Sequence, residues 1–326
     1  MSSSVIIIGA GWYGCYLASL CEKRNIDYVV YEKSKELFSG ASLYNQNRLH
    51  LGYHYPRNFK TRVDSKIGFD KFLNDFPELS TKIKRNVYSV HKNSSIDFQT
   101  YINIYKYEKY DFEVLKDSFS DNFQGSIMVN ERYIDPFKSK SYFSNLNLNI
   151  KFNSNIHLSD GEYYLNSKKL SSKILLNATY GGIETEESSK EFFREKFLSF
   201  IIKKTSDRLP FDALTVMDGP FYSIYPYNQK LNLYTLTHVQ FGVISNNLNK
   251  LEIESLYKLV KHLITSDLPD FDKYFKFESC FTSYKYKPKS KTDLRSTVIF
   301  NKKNKFTICS GKIDTVFITD KIINEL

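Results

Sequence analysis

Three glycines mark the first place where this chain could do chemistry. Gly9, Gly11 and Gly14 stand in the spacing G-x-G-x-x-G, with Ala10, Trp12 and Tyr13 between them. That spacing lets a backbone close on a diphosphate. Gly9 turns the chain sharply, Gly11 lacks the Cβ that would hold a pyrophosphate away, and Gly14 lets the next helix pack closely. The first N–H groups of that helix then face the anion. Glu32 follows roughly 20 residues on, where a carboxylate can accept hydrogen bonds from an adenosine ribose. A second polar cluster comes soon after: Asn45, Gln46, Asn47, Arg48, His50, His54 and Arg57. Its imidazoles can move protons near neutral pH, and its guanidinium groups can grip a carboxylate or phosphate.

These residues need elements to hold them. Val5–Ile8, four β-branched apolar residues, predicts a buried strand. Trp12–Lys23 predicts a helix, and Tyr28–Tyr31 a second strand ending at Glu32. The glycine pattern therefore sits in the strand–turn–helix context that it requires. No second crossover helix follows. Ser39, Gly40, Ala41 and Ser42 lead instead into Leu43–Arg57, rich in Asn and Tyr and closed by Pro56. A long polar loop this near a nucleotide site is usually functional. Leu49, Leu51, Tyr53 and Tyr55 interleave with its polar groups and predict partial burial.

The run G-A-G-W-Y-G, then Y-E-K, then S-G-A-S-x-x-N-Q-N-R-L-H-L-G resembles the FAD-dependent oxidoreductases of the D-amino-acid-oxidase superfamily. The resemblance implies FAD rather than NAD, with the stretch from Asn45 or Asn47 through His50 to Gly52 beside the flavin ring. It places Lys33, Ser42, Asn47, Arg48, Leu49 and His50 among the cofactor contacts, with His50 as base, hydrogen-bond partner or flavin orienter. The strand before Ala178, Thr179 and Gly181 resembles an Ala-Thr-Gly return to the nucleotide domain, although Tyr180 intrudes. The tail, with Gly311, Lys312 and Ile313, resembles a segment that closes over the flavin's pyrimidine end. Arg295 upstream is the candidate clamp for a substrate carboxylate.

The implied fold class is α/β. A Rossmann-like FAD-binding domain (1–82, 149–185 and 301–326) is expected to interleave with a substrate domain (83–148 and 186–300) built on a large, mainly antiparallel sheet. Helices are expected at Thr61–Leu79, Phe137–Leu146 and Glu252–Ser266, with a last one running to Leu326. Strands are expected at Asn86–Lys92, Thr100–Tyr107 and Ser126–Asn130, and as hairpins over Asn149–Ile156, Glu162–Leu165 and Lys168–Leu170. Phe197–Lys204, Ala213–Asp218, Phe221–Tyr227, Leu231–Gln240 and Phe275–Lys285 form the floor of a chamber, where Tyr222, Tyr225 and His238 are substrate candidates. Asp293 and Arg295 precede two tail strands, Ser296–Phe300 and Phe306–Cys309.

Composition narrows the function. The 326 residues are 41% hydrophobic and 16% aromatic, ample for a core. The formal charge of +10 comes from scattered lysines with no run of five or six, so dedicated nucleic-acid binding is not expected. Cys15, Cys21, Cys280 and Cys309 form no C-x-x-C pair and no metal spacing with the six His. A reducing, cytoplasmic setting, no signal peptide and no membrane span are expected. No Ser-His-Asp order or H-E-x-x-H motif points to hydrolysis. The leading expectation is hydride transfer to flavin from a C–N or C–O bond of a small molecule such as an amino acid, hydroxy acid or sugar derivative. The electron acceptor, dioxygen or a protein or quinone, stays open. The alternatives are a flavin-dependent nucleotide-sugar mutase of surface-polysaccharide synthesis and a flavin-linked tRNA-modifying protein.

Overall fold

The computed structural model describes residues 4–289 and 294–325. Two sheets organise it. In the first, six strands lie in the order Val298–Lys302, Lys305–Cys309, Ile174–Asn177, Val5–Ile8, Tyr28–Tyr31 and Ile150–Lys151. All pairs are parallel except the first. Val5–Ile8 is buried along its whole length, as a central parallel strand must be.

Trp12–Lys23 packs on this sheet, and the core above it is aromatic. The Trp12 indole meets Phe38, Phe72, Phe76 and Phe143, with centroids 5.2 to 5.9 Å apart. Phe72 belongs to the Phe59–Asp75 helix, which Asn58 caps by accepting the Thr61 N–H. A short 3-10 turn, Pro77–Leu79, ends that segment, so the helix stops near Pro77 as the sequence predicts.

The second sheet has eight strands, ordered Phe275–Pro288, Phe192–Lys204, Leu233–His238, Tyr222–Asn228, Ala213–Met217, Asn86–His91, Phe123–Val129 and Phe112–Val114. Only the pairing of Ala213–Met217 with Asn86–His91 is parallel. One face is covered by the Lys250–Asp267 helix, through Val260 and Ile264. The other faces the Leu43–Arg57 loop, where Arg48 reaches Thr215. A small three-stranded sheet, Arg48–Leu49, Arg132–Ile134 and Ser80–Lys82, ties that loop into the fold.

Several expected elements change type. Thr100–Tyr107 is not a strand but most of a helix, Phe98–Tyr107, which Asp97 caps. Its buried residues, Tyr101, Ile102 and Tyr105, fall on one helical face. Asn149–Ile156 is not one hairpin strand. Ile150–Lys151 joins the edge of the parallel sheet, and Ile156–Ser159 starts a separate three-stranded meander. The tail helix is a 3-10 segment, Ile313–Thr319, followed by one short helix, Asp320–Asn324. Asp293 and Leu326 lie outside the described residues. No helix among the described residues is long and apolar enough to cross a membrane.

Candidate functional site

The glycine turn is shaped by contacts that leave no room for side chains. Gly9 takes φ +98°, and its N–H donates to the Tyr31 carbonyl at 2.8 Å. A Cβ on Gly14 would lie 1.8 Å from the Gly9 carbonyl oxygen, and one on Gly11 would lie 2.9 Å from Ser42 Oγ. Inside the helix the first bond runs from the Cys15 N–H to the Gly11 carbonyl at 2.9 Å. The Tyr13 and Gly14 N–H groups therefore have no acceptor within the helix. Ser42 Oγ accepts the Trp12 N–H at 2.9 Å. Glu32 reaches back over the turn: Oε2 accepts the Ala10 N–H at 2.7 Å, and Oε1 the Ser34 N–H at 2.8 Å. Lys33 beside it is exposed.

Two distant segments border the same turn. Ala178 donates its N–H to the Ile8 carbonyl at 2.9 Å, and its own carbonyl sits where a Gly9 Cβ would go. Thr179 bonds to Asn177 Oδ1 at 2.7 Å and accepts the Ile183 N–H at 2.9 Å. Tyr180 and Gly181 both adopt positive φ, +54° and +70°, so the Tyr that breaks the Ala-Thr-Gly pattern forms part of a left-handed turn. Tyr13 then joins the tail: its hydroxyl donates to the Lys312 carbonyl at 2.6 Å and accepts from Thr297 at 2.6 Å. Gly311 lies so close over Arg295 that a Cβ would meet its carbonyl oxygen at 1.5 Å. Arg295, Gly311, Lys312 and Ile313 are thus brought to the start of the first helix.

The histidine loop enters between the two sheets. Asn47 takes φ +49°, and its carbonyl accepts the Ile134 N–H at 2.8 Å. Arg48 is buried, stacked 4.4 Å over the Tyr225 ring, and donates to Thr215 Oγ1 at 2.8 Å and Gln46 Oε1 at 2.7 Å. Leu49 is fully buried. His50 is 2% exposed, and its Nδ1 lies 3.7 Å from Glu131 Oε1. Burial, with Lys312 and Arg48 nearby, lowers its pKa to about 4 against the pull of Glu131, so the imidazole is neutral at pH 7. His54 is also driven down by burial and by Arg48. The His50 and His54 rings lie 6.0 Å apart, and Tyr55 lies 5.7 and 5.1 Å from them.

Glu131, which the sequence reading passed over, is fully buried. It accepts the Leu51 N–H at 2.8 Å, the Gly52 N–H at 3.2 Å and the Tyr88 hydroxyl. Burial opposes its charge, but His50, Tyr88 and the Leu51 N–H outweigh that and hold its pKa below the ordinary value. Asp314 was passed over as well. It is fully buried, with Ser65 beside it, and among the described residues neither carboxylate oxygen has a well-formed hydrogen bond. Burial raises its pKa to about 7, while burial and the charges of Arg295 and Arg48 lower that of Lys312 to about 8. Lys285, also missed, is pushed well below its usual range by burial, with Lys287, Lys312 and Arg48 adding to the effect. No local pattern marks these three. Each is a single charged residue on an element whose neighbours come from elsewhere in the chain.

Two substrate candidates are corrected. Tyr222 and His238 are cross-strand partners on the face of the large sheet that packs toward the Lys250–Asp267 helix. His238 Nδ1 accepts the Phe241 N–H at 3.4 Å. Strand side chains alternate faces, so Tyr222 and Tyr225, three residues apart, cannot share one. Tyr225 faces Arg48, and Ser223 and Thr235 face Gln46. Arg295 donates from its backbone to Thr61 Oγ1 at 3.0 Å and from its guanidinium to the Leu294 carbonyl at 2.8 Å. Among the described residues it forms no ion pair. Arg57 pairs with Asp218 at 2.8 Å.

Several of the buried polar atoms without a partner belong to the histidine loop and the tail beside it. Asn47 Oδ1, Arg48 Nε, His50 Nδ1, His54 Nδ1, the Tyr55 hydroxyl and the Asp314 carboxylate are buried without hydrogen-bond partners among the described residues. Native interiors rarely leave such groups unmet, so this concentration marks a space for a polar guest. Donors and acceptors strung from the glycine turn to this space suit a cofactor with a diphosphate at one end and a polar ring at the other.

Residues 7–67 match a family described as an NAD(P)-binding Rossmann-like domain. The chain is 29% identical to the FAD-dependent monooxygenase FPY4 of Fusarium mangiferae over 343 residues, spanning 99% of this chain and 90% of that protein. Glycine oxidase from Geobacillus kaustophilus superposes with a TM-score of 0.71 at 10% identity, covering 100% of this chain and 94% of the oxidase. L-α-glycerophosphate oxidase from Mycoplasma pneumoniae, solved with FAD bound, gives 0.69 at 15% identity, with 100% and 94% covered. The fold is that of the D-amino-acid-oxidase superfamily of flavoenzymes.

Proposed function

We propose that this chain, an FAD-dependent oxidoreductase by fold and by its relatives, oxidises a C–N or C–O bond of a small polar substrate. The observation that carries the reading is the meeting of the glycine turn, the His50 loop and the Lys312 tail around one set of unmet polar atoms. FAD supplies a two-electron acceptor for hydride.

In this reading the Tyr13 and Gly14 N–H groups and the helix dipole bind the diphosphate, and Ser42 steadies the turn. Glu32 uses two of its acceptor positions on Ala10 and Ser34 and keeps others for ribose hydroxyls. Asn47, Arg48, Leu49 and His50 line the ring on one side, and Gly311, Lys312 and Ile313 border it on the other. Arg295, without an ion pair among the described residues and next to the tail turn, is the candidate anchor for a substrate anion, and Tyr225 contributes an aromatic wall. Low solvent access around His50 keeps water from the reacting centre.

The monooxygenase name carried by the Fusarium relative favours dioxygen as the electron acceptor. Neither the sugar-mutase nor the RNA reading draws support from the relatives. The test is spectroscopic. Purified protein should be yellow, bleach anaerobically with the right amino acid, hydroxy acid or nucleotide sugar, and recover colour on admission of air. A colourless protein that also fails to take up added FAD overturns the reading.

A further inference from the structure

We propose that Glu131 is the positioning residue for His50. It fixes the imidazole as the Nδ1–H tautomer, so that Nε2 presents a lone pair as the proton acceptor during substrate oxidation.

The argument starts from Glu131 itself. A carboxylate with no exposure is costly unless its lone pairs are occupied. Here Oε1 takes two backbone N–H groups, from Leu51 and Gly52, and Oε2 takes the Tyr88 hydroxyl. These donors keep it ionised and aim it at the His50 loop. His50 Nδ1 faces Oε1 at 3.7 Å and has no hydrogen-bond partner among the described residues. A neutral imidazole carries one proton, and a lone pair turned toward a carboxylate would be repelled. The proton therefore sits on Nδ1, and closing the gap by under an ångström makes a hydrogen bond. Such contacts commonly tighten only once substrate is bound.

The surroundings decide the resting charge. Lys312 and Arg48 press on the ring, Glu131 pulls, and burial outweighs that pull. His54 and Tyr55 pack against it as neutral groups. His50 therefore waits unprotonated. Oxidising a C–OH or C–NH donor removes one hydride, for which bound FAD would be the acceptor, and one proton from the O–H or N–H. Nε2 receives that proton, the buried Glu131 charge steadies the imidazolium, and water later carries the proton away.

This inference rests on the reading that His50 borders the reacting centre, but its test needs no substrate. The FAD-loaded protein, grown with ¹⁵N-histidine, is examined by NMR at pH 7, with His50 assigned through His50→Gln. The expected result is a protonated Nδ1 and an unprotonated Nε2. An Nε2–H tautomer overturns the proposal. In Glu131→Gln the preference should weaken toward a mixture of tautomers, and an unchanged tautomer overturns the role of Glu131. Should that variant fail to fold, Tyr88→Phe decides. Stripping one donor from Glu131 strengthens its field and should raise the His50 pKa by about one unit. No rise overturns the proposal. Failure of FAD to bind is read separately, in the visible spectrum of the same sample.

Discussion

The glycine cradle and the histidine chamber are joined through the Lys312 tail, which touches Tyr13 on one side and Tyr55 on the other, and are built in opposite ways. In the cradle each special residue is explained by its neighbours: Gly14 by the Gly9 carbonyl, Glu32 by the Ala10 N–H, Ser42 by the Trp12 N–H. Most of its partners lie within some 30 positions of one another. In the chamber the chemistry-bearing groups come from Arg48–Tyr55, Glu131, Lys285, Arg295 and Lys312–Asp314, and several are left unsatisfied. The cradle's polar groups are largely met by the chain itself. The chamber holds buried polar groups that are costly until something occupies it.

If that contrast holds, the largest damage should come from filling the cradle. Gly14→Ala places a methyl 1.8 Å from the Gly9 carbonyl, so helix and strand must part. The expected cost is about 3 kcal/mol or more, beyond ordinary overpacking. The protein should emerge without FAD, as read from the ratio of visible to ultraviolet absorbance. Normal flavin content in this variant would break the comparison.

Glu32→Gln is the next test, at the cradle's other side. The change weakens two charge-assisted hydrogen bonds to backbone N–H groups and any bond to a ribose. Hydrogen bonds to charged groups contribute about 1.5–3 kcal/mol, so FAD affinity should fall about 10- to 100-fold. Fluorescence titration of the stripped protein with FAD measures this. A stability loss with unchanged affinity would make Glu32 a structural residue only.

The sharpest contrast in the chamber is pH. Asp314 holds its proton to about pH 7 in the folded state because burial disfavours the charge, against an ordinary value of 3.8 when exposed. Between those values the folded state binds more protons than the unfolded one. The Asp314 contribution to stability is therefore full at low pH, falls as pH rises through that window, and levels off above it. Asp314→Asn abolishes the slope, so its gain in stability should be larger at pH 8 than at pH 5, by about 2 kcal/mol. Denaturant midpoints at the two pH values check this, and equal gains would show that the carboxyl is solvated. His50 and His238, whose pKa values burial lowers to about 4, work the other way. Their stabilising effect is present above about pH 6.5 and is lost as pH falls toward 4.

The same contrast explains what could be read from sequence. Val5–Ile8, Trp12–Lys23 and Tyr28–Tyr31 agree with the sequence expectation residue for residue, because strand burial, glycine spacing and helix start are all local signals. Partial burial of the Leu43–Arg57 loop was also legible, since Leu49, Tyr53 and Tyr55 interrupt its polarity and are buried. Thr100–Tyr107 misled because Tyr101, Ile102, Ile104 and Tyr105 are β-prone and fit either period. The deciding feature was Asp97, a cap that accepts the Thr100 N–H. Glu131 was invisible for a different reason. Its partners, Leu51, Gly52 and Tyr88, lie 80, 79 and 43 positions away. No window along the chain contains them all.

The smallest effect separates the two faces of the large sheet. Tyr225 and Tyr222 look equivalent in sequence, yet one carries Arg48 on its ring and the other packs among the second core's apolar side chains. Tyr225→Phe keeps the ring beneath Arg48 but removes the hydroxyl that accepts from Asn86 at 3.0 Å. It should alter flavin absorbance slightly and cost about 1 kcal/mol. Tyr222→Phe should cost a similar amount or less and leave the flavin spectrum unchanged, because the sheet itself stands between that side chain and the chamber. Difference spectra of the two loaded variants, at matched FAD content, make the comparison. If Tyr222→Phe perturbs the flavin as much as Tyr225→Phe does, the sheet does not divide core from chamber as its alternation requires, and the assignment of its two faces must be reversed.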